Sequence, residues 1–133
     1  MSPRAAVVVL VLLLVTIATV AVVAAVRLKR ITGVAKCERV ATDNGAFRSQ
    51  LETYRKMNGW FPTTEQGLQA LVEKPNRSPI PMAWQKLFGE IPPDPWGTPY
   101  IYRCPGVIHA DGYDLFSAGP DRKPDTSDDV WRE

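Results

Sequence analysis

The chain has 133 residues, 45% of them hydrophobic, and a formal net charge of +2. That length supports one domain with a modest core. Residues 1–30 carry Arg4, Arg27, Lys29 and Arg30 and no acid, so the rest of the chain is net negative and offers no basic patch for nucleic acid.

Ala5–Val26 is an unbroken apolar run of 22 residues in which Thr16 and Thr19 are the only hydroxyls. Roughly 20 such residues cross a bilayer as a helix. Arg27, Lys29 and Arg30 close the run where headgroups would lie. A cleaved secretory signal is the rival reading, but its apolar stretch is only about 7–15 residues long. Residues 1–30 are therefore expected to form a membrane anchor and residues 31–133 a head domain.

Beyond the anchor the pattern turns amphipathic. Ile31, Val34, Ala41, Phe47, Leu51 and Tyr54 recur near the spacing of one helix face, with charged residues between them. Gly33 and Gly45 weaken this helix by up to about 1 kcal/mol each relative to alanine. Asn58-Gly59 is a stop signal. One helix is predicted from the membrane to about Met57.

Trp60-Phe61-Pro62 reads as an extended link. Thr63 and Gln66 have capping-box spacing and predict a second helix, with Leu68, Leu71 and Val72 buried and Pro75 at its end. The prolines between Pro75 and Pro99 argue against regular strands. Ala83–Phe88 is predicted to form one short helical turn, and Trp84, Leu87 and Phe88 to pin the loop. Tyr100–Arg103 and Tyr113–Ser117 read as paired strands, and Val130-Trp131 as a short third one. The expected fold class is α+β: one long helix on a small antiparallel sheet.

Cys37 and Cys104 are the only cysteines. Two free, half-buried thiols are the expectation, with a disulfide the alternative in an exported domain. Neither a repeated cysteine pair nor a histidine cluster is present, which speaks against zinc. His109 is the one histidine. Asp111 and Asp114 lie near it, and Ser117 is the nearest nucleophile but lacks a Gly-x-Ser-x-Gly setting. His109 is read as a loop residue, and no catalytic residue is assigned. Trp60, Trp84, Trp96 and Trp131 are read as packing anchors.

The C-terminal stretch is the most distinctive. Asp121, Asp128 and Asp129 fall in one short loop beside a strand. Like charges gathered this way repel unless a cation offsets them, and hard cations take such oxygens. The spacing is not that of an EF-hand, which needs acids on alternate residues and a closing Glu.

Several blocks together carry a resemblance. They are Leu51-Glu52-x-Tyr54-Arg55, Asn58-Gly59-x-Phe61-Pro62-Thr63-Thr64-Glu65-Gln66-Gly67-Leu68-Gln69-Ala70-Leu71, Asp94-Pro95-Trp96-Gly97-x-Pro99-Tyr100 and Tyr113-Asp114-Leu115-Phe116-Ser117-x-Gly119. From about Thr42 to Trp131 the chain resembles the major pseudopilins of type II secretion systems. The resemblance implies a pilin-like fold and a structural, non-enzymatic role as subunit of a short filament in protein secretion. It implies self-association, contact with other pseudopilins and an inner-membrane anchor. It implies neither a nucleic-acid partner nor a small-molecule substrate. It also implies one Ca²⁺ held by Asp121, Asp128 and Asp129 with the backbone oxygen of Ala118, and Asp125 and Ser127 as second-rank donors.

Two features depart from that family. No Gly precedes Gly33 and no acid precedes Glu38, so the family's leader Gly and the Glu after it are not matched in this stretch, which leaves a mis-called start, a divergent subunit or a stand-alone anchored domain as the expectations. A membrane-tethered pilin-like binding domain that does not polymerise is thus the alternative expectation. The resemblance also implies Gly or a small residue where Arg122 and Pro124 stand, and Gly where Asp125 stands. Basic residues flanking the apolar run would, taken alone, put the head in the cytoplasm. The resemblance puts it in the periplasm, and the positive-inside rule is a bias that can be overridden.

Overall fold

A computed structural model describes residues 3–131. Met1 and Ser2 of the expected anchor, and Arg132 and Glu133 of the expected head, lie outside the described residues. The element order is helix α1 (Pro3–Asn58), a 3-10 turn (Leu68–Leu71), and strands β1 (Ile101–Arg103) and β2 (Asp114–Phe116). The architecture is α+β, as expected. Between Lys36 and Cys37 the chain divides into two compact units, and α1 contributes residues to each.

In the first unit the sequence leaves no choice but helix. Its apolar side chains are exposed, from Val7 at 60% to Val26 at 63%. An 18-residue window reaches a mean hydropathy of 3.2 with none of it buried, which makes this helix long and apolar enough to cross a bilayer once. The Thr16 and Thr19 hydroxyls donate to the carbonyls of Leu13 and Thr16, so neither is left unmatched in an apolar setting.

In the second unit α1 presents a buried stripe at Val40, Asn44, Phe47, Leu51 and Tyr54. These alternate four and three residues apart, so they stack along one face. The stripe corrects the predicted face. Ile31 and Val34 are 66% and 58% exposed, and Val40 and Asn44 are buried instead. The predicted face began too early because Ile31 and Val34 belong to the first unit, and an apolar periodicity cannot register a buried asparagine. The helix stops at Gly59, whose φ of 89° is open to glycine, with Gly59 N donating to the Arg55 carbonyl. Arg55 and Lys56 favour the negative end of the helix dipole.

The predicted second helix is a single 3-10 turn. The capping box itself forms: Thr63 N donates to Gln66 Oε1, and Gln66 N donates to Thr63 Oγ1. The turn is then drawn into tertiary bonds, because Gln66 Nε2 donates to the carbonyls of Arg77 and Pro79. Ala83–Phe88 makes no helical turn. Its Leu87 and Phe88 amides donate to the Leu71 carbonyl, and the Trp84 indole donates to the Ala70 carbonyl. The loop is pinned by these residues as predicted, though through hydrogen bonds to the 3-10 turn that rule out local helix.

β1 and β2 pair antiparallel, with Tyr102 opposite Leu115. The expected third strand is reduced to one bridge between Ser117 and Val130. Phe47 packs against Phe88 and edge-on to Tyr100, joining helix, loop and sheet. Phe47, Leu51, Leu71 and Phe116 are fully shielded from solvent, and each contributes about 1.5–3 kcal/mol relative to an exposed position. Cys37 and Cys104 are free and half-buried.

Candidate functional site: the C-terminal acidic loop

Two buried carboxylates hold the sheet's loops, and they define what lies beside the C-terminal loop. Asp94 is 2% exposed. It accepts from Trp96 N, Thr98 N, Thr98 Oγ1 and Ser117 Oγ. Burial by itself would raise its carboxyl, but bonds from Ser117, Thr98 and Trp96 outweigh burial and hold it below the ordinary carboxylate range. Asp114 has no exposed surface and accepts from the amides of Val107, Ile108 and His109 and from His109 Nδ1. Burial again opposes ionisation there, and these donors prevail. In the sequence Asp94 stands out only as part of the Asp94-Pro95-Trp96-Gly97 block. Its Asp-Pro-x-Gly setting is the signal that could have marked it, since Asp accepts from backbone two residues on in such turns.

His109 lies in the connection between β1 and β2. Its Nδ1 lies 2.9 Å from Asp114, and the Ser117 hydroxyl donates to Asp94. Ser117 is therefore held as a donor to Asp94.

The acidic loop follows β2. Ala118 is buried and Gly119 turns the chain at φ 66°. A Cβ at Gly119 would collide with the carbonyl of Asp128, so the two ends of the loop touch at this point. Asp121 N donates to Asp128 Oδ2, and Asp121 Oδ1 accepts from Lys123 N. Asp128 Oδ1 accepts from Thr126 Oγ1. Asp129 Oδ2 accepts from the amides of Asp125 and Thr126, while Asp129 Oδ1 is buried without a hydrogen-bond partner. Thr126, then Asp121, hold the Asp128 carboxyl below its ordinary range. Asp125, a second-rank donor by sequence, gives both oxygens to Arg103, and Ser127 is exposed.

Arg122 and Asp125 have φ of 62° and 68°, the left-handed region that favours glycine. Substituting Gly119→Ala is expected to destabilise the head by more than about 2 kcal/mol, because it adds left-handed strain to a backbone collision. A thermal melt unchanged from the parent chain would contradict this closeness of Gly119 and Asp128.

Among the described residues no group of three or more His, Cys, Asp or Glu side chains is gathered as a ready-made metal site. The donor set still suits a hard cation. Every side-chain donor in the loop is oxygen, and one buried carboxylate oxygen lacks a partner.

An apolar helical segment whose helix continues as the buried stripe of a small α+β unit, with loops in place of a full sheet, defines a pilin-like class. The comparisons then specify it. Residues 27–132 match the family described as type II secretion system (T2SS), protein G, and the chain belongs to that family. It is 42% identical over 95 residues to the type II secretion system core protein G of Dickeya chrysanthemi, covering 70% of this chain and 61% of that one. It is 39% identical over 95 residues to the protein of the same name from Escherichia coli K12, covering 70% and 64%. The crystal structure of the major pseudopilin from the type 2 secretion system of enterohaemorrhagic Escherichia coli superposes with a TM-score of 0.69 at 40% identity, covering 74% of this chain and 83% of that one. The chain thus spans about three fifths of the length of the curated relatives it matches. The family is one of structural subunits, not enzymes.

Proposed function

We propose that this chain is a structural subunit of a type II secretion pseudopilus-like filament. Its apolar helix sits in the inner membrane and its head in the periplasm. The observation that carries the proposal is the single helix α1, which supplies both an exposed apolar segment and the buried stripe of a family-typical head. Neighbouring copies and other pseudopilins are the partners. In native membranes, a bifunctional cross-linker is expected to yield a ladder of multimers of this chain. Monomer alone after cross-linking would support instead a tethered pilin-like domain that does not polymerise.

The second part of the proposal concerns the loop. Asp121, Asp128 and Asp129, with the Ala118 backbone oxygen, are the residues that would hold Ca²⁺. A bound divalent ion supplies charge compensation and stiffness, not chemistry on a substrate. The unpartnered Asp129 oxygen supports this reading, as a buried carboxylate oxygen is costly unless something binds it. The chain's own residues do the rest: Gly119 allows the tight return, and Thr126 and the Asp121 amide orient Asp128.

A further inference from the structure

We infer that Arg103 is a positioning residue for the acidic loop: it clamps Asp125, and through Asp125 it sets Asp129 for a divalent cation. The inference rests on the calcium reading above.

Arg103 ends β1, and its side chain is only 25% exposed. The guanidinium lies 5.3 Å from the centroid of the Phe116 ring, which itself stacks on Trp131. An arginine held against an aromatic face loses little further freedom when it binds a carboxylate. Both terminal nitrogens then donate to Asp125, Nη1 to Oδ1 and Nη2 to Oδ2, each at 2.8 Å. Such a two-point fork fixes direction as well as distance.

Asp125 relays that constraint. Its left-handed backbone, at φ 68°, accompanies an amide that donates to Asp129 Oδ2 at 2.8 Å. One residue therefore joins the strand by its carboxylate and the proposed ligand by its amide. Asp129 is next to Val130, whose bridge to Ser117 fixes the other side. The outcome is that one Asp129 oxygen is occupied and the second is left to face a ligand. The clamp also withdraws Asp125 from competition for the ion.

Arg103 acts on a cation in two opposed ways. Positioning favours binding, while its own positive charge opposes it. A lysine keeps the charge but loses the fork, so Arg103→Lys isolates the first effect. Asp125→Asn removes the carboxylate but keeps a residue that tolerates a left-handed backbone.

The test is Ca²⁺ titration of the full chain in detergent micelles by calorimetry, with terbium luminescence sensitised by tryptophan as a second readout and circular dichroism to verify folding. Arg103→Lys and Asp125→Asn are each expected to weaken binding about fivefold, and the double variant no more than the weaker single, since both break one linkage. Wild-type affinity in Arg103→Lys, or fully additive losses, would overturn the inference. So would a lowered melting temperature without calcium and unchanged affinity, which marks a purely structural pair. Tighter binding in Arg103→Gln with no change in Arg103→Lys would likewise reject positioning and leave only the opposing charge. A wild-type chain that binds no Ca²⁺ would sink the calcium reading itself, and this inference with it.

Discussion

Asp94→Ala is expected to lose about 3–5 kcal/mol of stability, a drop in melting temperature of more than about 12 °C for a head of this size. The reason is the number of donors that would be stranded. Two amides and two hydroxyls converge on a carboxylate that is 2% exposed. Removing it leaves them in a space that water enters poorly, and each unmatched donor is penalised by about 1–3 kcal/mol. Asp94→Asn, which keeps one acceptor oxygen, should lose less.

The same group gives a pH signature. Its folded pKa lies below the ordinary 3.8. Its contribution is therefore fully present above that unfolded value and is lost as the pH falls through the folded one. Asp114 acts in the same direction. Stability should hold above about pH 4 and decline below it, and Asp94→Ala should show a shallower acid decline. A variant melting within about 1 kcal/mol of the parent would refute the role given to Asp94.

From the proposed calcium site, withdrawal of calcium is expected to be the second large effect. With free Ca²⁺ 100-fold above its Kd, binding to the folded state alone adds about 2.7 kcal/mol. For about a hundred residues of head this corresponds to roughly 10–20 °C in melting temperature. The comparison is between full chain in detergent with chelator and with calcium. Asp121→Asn is the informative variant. An amide oxygen can still accept from Lys123 N, so the turn is preserved while a ligand charge is lost. It should melt like the parent in chelator and gain much less on adding calcium. Identical parent melts in both conditions would reject the metal.

Much of the fold was legible because its signals are local. The apolar run, Asn58-Gly59, the Thr63–Gln66 box and the alternation around Tyr102 each act within a few residues, and each took the expected form. The failures share another cause. The second helix shrank to a 3-10 turn because Gln66 and the Ala70 and Leu71 carbonyls are engaged by residues 11–17 positions away. Val40 and Asn44 replaced Ile31 and Val34 on the buried face because what covers a helix is chosen by distant chain. Asp125 was legible as an acid near a proposed ion, but its partner Arg103 lies 22 residues earlier.

The sequence by itself determined the helix, its apolar anchor, the turns, the strand pair and the family, because hydrophobic period and backbone restriction operate on neighbours. Only the tertiary structure decided which carboxylates are buried as ties and which face the loop. Asp94, Asp114 and Asp129 are the same side chain in one dimension. They diverge once folding sets how many donors reach each and how much water is excluded, and those quantities depend on residues far apart along the chain.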